Sequence, residues 1–389
     1  MHTLSTVRKV SLTGSSFASM FLLGVGLAVI GAAAPAIGLR AAQVSVLLTV
    51  QNAGFVASVL LFGYLSDVRS KTRILALAAT IVAVTYFSLY RSPSFLLNAF
   101  IMMGIGIGLG GIEAVTDPML FEMHTRRRAL AISVNHLFVT LGSLIITVYL
   151  MFLQLDWRQS MEQAAVAAAV LAVIFALSYV APREQSRRLT PRERLGIVGR
   201  EPKVAVMFAA MICGYGMQVA TIGLVPTFLI DYRGFDPVPA NLGLAIFIGG
   251  IAVGRVLIAS LTREERMIRN LRLLFAGATV CMALIYFVDI GMFVYPLLFV
   301  AGLMISSLLP LIVTYTGLAF PAMTGTAIAA VKVAIPAGGL VIPFIMSIVA
   351  ETINEPVSLV VPALSGVAGS ILLALQRRRL AAPAPAEQG

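Results

Sequence analysis

Apolar residues fill long unbroken runs in this chain, and polar residues are confined to the short intervals between them. Twelve such runs occur, at approximately 16–38, 44–66, 74–90, 95–121, 129–153, 160–181, 204–230, 239–261, 271–288, 292–320, 325–350 and 357–375. Each is close to the ~20 residues a helix needs to cross a ~30 Å hydrocarbon core. The runs are continuous rather than alternating, which predicts helices and not barrel strands. The fold class expected is therefore all-α integral membrane with 12 transmembrane helices. The longest polar interval splits them six and six: 1–182 as an N-terminal six-helix bundle, 183–203 as a cytoplasmic basic linker, 204–380 as a C-terminal six-helix bundle and 381–389 as a disordered tail. Thr190, Pro191 and Glu193 look like a helix start, so a short interfacial helix is expected in the linker.

The two halves repeat each other. An offset of 196 residues lays Gly54 on Gly250, Arg73 on Arg269, Gly106 on Gly302, Ala131 on Ala327, Ile132 on Ile328 and Gly142 on Gly338. The first and seventh runs match at a slightly different offset, with Phe17, Ala18, Met20 and Pro35 over Phe208, Ala209, Met211 and Pro226. An internal repeat of helical bundles is a transporter plan in which the substrate site lies between the repeats near the bilayer midplane.

Composition agrees: 59% of residues are hydrophobic and 12% charged, with a mean hydropathy of +0.96. A pI near 10.1 and a net charge of +11 raise the question of nucleic acid, and the placement of the basic residues answers it. Twenty-two of the 28 lie in the termini and alternate loops on one side, and only Arg40, Arg91, Arg158 and Arg233 on the other, which makes both termini cytoplasmic by the positive-inside rule. No aromatic-interleaved basic patch accompanies them, so nucleic acid is not an expected partner. The apolar run after Arg8 and Lys9 exceeds a signal peptide's core and reads as the first helix. Cys213 and Cys281 fall on different helices and read as small packing residues. Glycines 104, 106, 108, 110 and 111 imitate a dinucleotide fingerprint, but no strand precedes them and close helix packing explains them better. No catalytic constellation or metal-ligand cluster is visible, so neither an enzyme nor a cofactor is expected.

The loop after the second run, Gly63-Tyr64-Leu65-Ser66-Asp67-Val68-Arg69-Ser70-Lys71-Thr72-Arg73, resembles the Gly-x-x-x-Asp-(Arg/Lys)-x-Gly-(Arg/Lys) signature of the major facilitator superfamily, departing from it at Val68 and Ser70. In the fourth run, Glu113-Ala114-Val115-Thr116-Asp117-Pro118 is similar to the Glu-x-x-x-Asn-Pro motif of the fucose-permease branch, with Asp117 where that branch has Asn. Asn135-His136 and Gly142 follow in the fifth run, as such proteins often show. The first helix lacks the acidic residue of proton-coupled sugar members. The resemblance implies two six-helix halves rocking about a central site. It also implies a gating role for Asp67 and Arg73, and a gating or packing contact for Arg255, which follows Gly254 in a Gly-Arg pair common in helix eight. Physics supports the first: helix eleven begins near Thr324 and Gly325, and its positive end attracts the Asp67 carboxylate.

Charges inside membrane helices are costly and are functional candidates by default. Glu113, His136, Arg255 and Lys332 all fall ~4–8 Å to the cytoplasmic side of the midplane when counted at ~1.5 Å per residue. His136 and Lys332 are repeat-equivalent, so the pseudo-two-fold axis is expected to face them across the cavity as a clamp for an anion. Glu113 is the expected proton-coupling residue. Burial favours its neutral form and a basic neighbour its ionised form, so substrate on the basic partner can switch it. Lys332 held by Glu113 as a structural pair, and His136 as a hydrogen-bonded core residue, are the competing readings. Asp117 shares a helix face with Glu113 but sits nearer the cytoplasm, where Arg126, Arg127 or Arg128 are alternative partners, and it is counted with the gating residues. Asn135, Tyr215, Gln218 and Tyr315 are further substrate-binding candidates, and Thr221 a cavity-lining one.

Together these features describe a monomeric secondary active transporter of a bacterial-type inner membrane, working by alternating access and coupled to protons, for a small polar organic solute. An organic anion is favoured; a sugar or related neutral solute, or efflux of drugs or metabolites, are the alternatives. A non-transporting membrane sensor or assembly factor on the same scaffold is the reading from another class. Reporter fusions after Gln376 and within residues 187–200 should both report cytoplasm; a periplasmic signal from either would remove the twelve-helix topology.

Overall fold

Inside lipid the backbone must satisfy its own hydrogen bonds, and helix is the form that does so within one segment. The computed structural model describes residues 6–152, 156–180 and 190–375, and no strand occurs among them. The linker residues 181–189 and the C-terminal residues 376–389, with Arg377, Arg378, Arg379 and the expected tail, lie outside the described residues. The helices are α1 (Thr6–Ile37), α2 (Ala41–Val68), α3 (Lys71–Ser88), α4 (Phe95–Met123), α5 (Arg128–Phe152), α6 (Trp157–Leu177), α7 (Pro191–Arg200) and α8 (Pro202–Arg233). They continue with α9 (Pro237–Leu261), α10 (Met267–Phe287), α11 (Val294–Ser306), α12 (Leu308–Ala319), α13 (Thr324–Lys332), α14 (Ala334–Thr352), α15 (Glu355–Ser358) and α16 (Val360–Leu375). Among the described residues twelve stretches are long and apolar enough to cross a membrane.

Three spans that the apolar pattern draws as continuous are interrupted. The tenth divides at Ser307, the eleventh at Val333 and the twelfth at Leu359. Each interruption lies three residues before a proline: Pro310, Pro336 and Pro362. A proline has no N–H for the carbonyl four residues earlier and its ring crowds that carbonyl, so the helical register slips at this point. Pro118, Pro226 and Pro343 are tolerated inside helices without such an interruption.

The linker helix α7 starts where its cap dictates. The Thr190 backbone N–H and hydroxyl donate to Glu193 Oε2 at 2.7 and 2.8 Å, and the Glu193 N–H donates back to Thr190 Oγ1 at 3.3 Å. This is a reciprocal capping box. The bonds from Thr190 hold the Glu193 carboxyl below its usual range.

The chain forms two compact units, Met1–Gly196 with Pro321–Ala329, and Ile197–Phe320 with Ala330–Gly389. Within the first, α2 packs on α4, α1 on α5, and α3 on α4 and α6; within the second, α9 packs on α11, α8 on α14, and α10 on α11 and α16. The pairings correspond span for span, and the glycines show why. A Cβ on Gly54 would meet the carbonyl oxygen of Met103, and one on Gly250 that of Phe299; one on Gly106 would run into Gln51, and one on Gly302 into Phe247. Each contact in one unit is its counterpart in the other at the 196 offset. Gly142 against Phe21 and Gly338 against Ile212 repeat the theme at the other offset, so α5 meets α1 as α14 meets α8. Helix association in lipid rests on such close packing because water supplies no drive between apolar helices.

Gly106→Ala and Gly302→Ala should each lower thermal stability by about 1–3 kcal/mol, since the new methyl meets backbone that cannot give way. Gly249 faces open space, so Gly249→Ala should be neutral or stabilise by about 0.5–1 kcal/mol. Equal melting temperatures across the three variants would refute the packing account.

Candidate functional site

The fourth and fifth helices bring the chemistry of the first unit together. Glu113 and Asp117 stand one turn apart on α4 with exposures of 4% and 0%, and Asn135 and His136 on α5 are equally buried at 0% and 4%. His136 Nε2 lies 2.9 Å from Asp117 Oδ2. Asn135 Nδ2 donates to Asp117 Oδ1 at 2.8 Å and to Thr116 Oγ1 at 3.2 Å, while the Thr116 hydroxyl donates to the Ile112 carbonyl at 2.9 Å. Both oxygens of Asp117 are therefore engaged from α5. Pro118 contributes by omission: lacking an N–H, it withdraws the helical partner of the Ala114 carbonyl, next to Glu113.

One ligating atom each from Glu113, Asp117 and His136 lie within 4.8 Å of one another. Two carboxylates and an imidazole thus form one compact polar group on buried faces of α4 and α5. The same donors would also suit a small cation, with His136 turned from Asp117 to the ion.

A second polar centre sits where α2 meets the start of α13. Asp67 Oδ1 accepts the Gly325 N–H at 2.8 Å, and Oδ2 accepts the Thr326 N–H at 2.9 Å and its hydroxyl at 2.6 Å. These amides belong to the first turn of α13, where N–H groups lack helical partners and the dipole is positive. Gly63 and Gly325 let the backbones approach: a Cβ on Gly63 would collide with Ala329, and one on Gly325 with the Ser66 hydroxyl. Arg194 of α7, only 1% exposed, places Nη1 3.6 Å from Asp67 Oδ2. Around this core Lys71 pairs with Glu122 at 2.9 Å, and the Arg73 guanidinium lies over the Tyr179 ring, 4.8 Å from its centroid.

The family model described as Major Facilitator Superfamily matches residues 13–343. The chain belongs to the major facilitator superfamily. It is thus a multi-pass membrane protein and a secondary transporter rather than an enzyme. Among curated proteins none matches it. Among solved structures it is similar to the superfamily transporter FucP in the outward conformation, with a TM-score of 0.75 at 15% identity over 95% of this chain and 99% of that one. A variant of the Escherichia coli fucose:proton symporter FucP gives 0.73 at 14% identity over 95% and 99%. The proton:xylose symporter XylE bound to 6-bromo-6-deoxy-D-glucose gives 0.70 at 15% identity over 96% of each chain. At these identities the likeness is one of fold.

The other sequence candidates of this superfamily member belong to its second unit. Lys332 is wholly buried at the last position of α13, next to the interruption at Val333, and Arg255 on α9 is 6% exposed. Gly254 lets α9 approach α11 at Leu303, and its carbonyl accepts the Ser307 hydroxyl at 3.1 Å. Tyr215 and Gln218 on α8 and Tyr315 on α12 are half-buried. Thr221 is fully buried, its hydroxyl donating to the Met217 carbonyl at 2.8 Å. Asp117 is bonded in the interior to Asn135 and His136, Arg126 and Arg127 are exposed, and the Arg128 guanidinium lies over the Phe121 ring. Arg194 is the residue that sequence reasoning passed over as one more linker cation. Its only signal in the sequence is its place one turn into a capped helix.

A double-mutant cycle tests that assignment. Arg194→Gln and Asp67→Asn should each destabilise the purified protein, and the pair should show a coupling of about 1–3 kcal/mol. Strictly additive melting shifts would make Arg194 a bystander.

Proposed function

We propose that this transporter is a proton-coupled symporter of a small polar organic solute, favoured as an organic anion, with Glu113 as the residue whose protonation is coupled to transport. The observation that carries the reading is the buried grouping of Glu113, Asp117 and His136. Glu113 stands within this dry group, so gaining or losing a proton there changes the charge that a conformational change has to carry. Crossing the barrier with that charge is costly, so the state of Glu113 decides which conformational changes are cheap. Lys332, buried in the second unit, supplies the cation an anionic substrate needs, with Asn135, Tyr215, Gln218 and Tyr315 as the polar contacts that orient it. His136 is the second basic candidate for the charge of an anion.

The bond between His136 and Asp117 favours a second reading. An imidazole already engaged by a carboxylate is a weaker anion receptor and a good hydrogen-bond partner for hydroxyls, which suits a sugar or related neutral solute. The solved neighbours named as fucose and xylose symporters support it. Uptake assays over carboxylates and sugars decide between the two.

Asp67 is the cytoplasmic lock in this reading. Its hold on the α13 amides closes that side, with Arg194 and Arg73 steadying the surrounding loops, while Arg255 is a gating candidate of the second unit.

Glu113→Gln mimics the protonated acid, so it should lose uptake driven by a pH gradient and keep substrate exchange between equally loaded sides. Lys332→Ala should weaken binding itself. Recovery of transport in Glu113→Gln/Lys332→Ala would reduce both residues to a structural pair. Uptake that follows a sodium gradient and ignores pH would assign the acidic group to a metal cation instead. Asp67→Asn should depress transport at least tenfold while substrate binding holds, and should raise cysteine accessibility along α13.

A further inference from the structure

The basic residues of the second unit are not spread evenly over its cytoplasmic side. Arg269 and Arg272 stand three residues apart near the start of α10, which puts them on one face of the helix. Leu273 and Ala276 continue the same face into the membrane. Opposite them α16 presents Ser370, Ile371 and Ala374, and between the two helices runs a groove of 360 Å³. The small side chains of Ala276 and Ala374 leave it open. The Ser370 hydroxyl reaches the Arg272 carbonyl at 3.5 Å, which fixes the two helices at this level.

The groove has the polarity of a phospholipid. Its membrane side is apolar and uncovered, with Leu273 62% and Ile371 51% exposed. Its outer end holds two guanidinium groups that form no ion pair with any described residue. Loop charge assigns that end to the cytoplasm, where the bilayer surface is anionic. Beyond Leu375 the sequence adds Arg377, Arg378 and Arg379. A guanidinium binds a phosphate through paired N–H donors, and two at this spacing can share one phosphodiester.

We propose that the groove between α10 and α16 is a binding site for one anionic glycerophospholipid, its phosphate on Arg269 and Arg272 and its acyl chains along Leu273 and Ile371. A zwitterionic lipid brings its own cation to the same place and gains less. At the strength typical of a basic residue near an anionic surface, two arginines favour the anionic lipid by about thirty-fold.

The full chain, purified into mixed micelles holding phosphatidylglycerol and phosphatidylcholine in equal amounts, should retain one phosphatidylglycerol in preference to phosphatidylcholine by native mass spectrometry. Arg269→Gln/Arg272→Gln should bring the ratio of the two lipids close to one. Arg263→Gln/Arg266→Gln removes the same charge from the neighbouring turn and should leave the preference intact. Ala276→Phe/Ala374→Phe fills the groove without touching charge and should abolish retention. The proposal is overturned if the wild type holds both lipids alike, if the control pair loses the preference equally, or if the groove-filled protein keeps its lipid. It is overturned too if free glycerol 3-phosphate competes as well as the lipid, because the site would then be one for a soluble phosphate. Should the filled variant fail to fold, the two arginine pairs still decide.

Discussion

An ionised carboxylate survives inside a lipid-embedded protein only where donors surround it, and Asp67 takes the donors that a helix cannot use itself. The first-turn amides of α13 are bound to remain without helical partners. Delivering a carboxylate to them requires α2 and α13 to approach closely, which is what Gly63 and Gly325 permit. The Thr326 hydroxyl and Arg194 complete the shell. This contact makes residues Pro321–Ala329 part of the first compact unit, although they open the eleventh span. The signature loop is thus a single device: the glycine admits the backbone, the aspartate binds it, and Lys71 with Glu122 balances the charge beside it.

Elsewhere the same solvent imposes a different rule. Between apolar helices in lipid, burial brings little gain, so contact itself has to be close. Gly54, Gly106, Gly250 and Gly302 each bring a helix face onto a neighbouring carbonyl, in matching pairs between the repeats. A glycine at such a position is fixed by geometry rather than by chain flexibility, and it recurs at the same place in both halves.

That distinction sets what the sequence discloses. Spans and their grouping are legible because lipid demands long apolar runs, and the repeat is legible because its packing glycines keep their spacing. The Asp67 contact could be anticipated, since a loop motif and a helix start are both local features. The interruptions at Ser307, Val333 and Leu359 escape a hydropathy reading: proline is only mildly polar, and Pro118, Pro226 and Pro343 show that it need not break a helix. The bond between Asp117 and His136 joins two helices, and its partners are set by rotation about each helix axis, which spacing alone does not fix. Arg194 is hidden by composition, one arginine among many, and only burial singles it out.

The repeat also shows where the halves have parted. At the 196 offset Glu113, Asp117 and Asn135 correspond to Leu309, Val313 and Val331, and only His136 keeps a basic counterpart, in Lys332. The bonded acid group is therefore a property of the first unit alone. The second unit has Pro310 and Pro336 in the spans that answer to α4 and α5, and there the helices bend at Ser307 and Val333 instead of carrying acids. Proline at these places withdraws the helical N–H partners of the Ser306 and Lys332 carbonyls, which adds backbone polarity beside the buried Lys332 side chain. The two halves thus hold different charges at related levels, buried acids with His136 in the first and the buried cations Lys332 and Arg255 in the second, an asymmetry that a pair of identical halves could not supply.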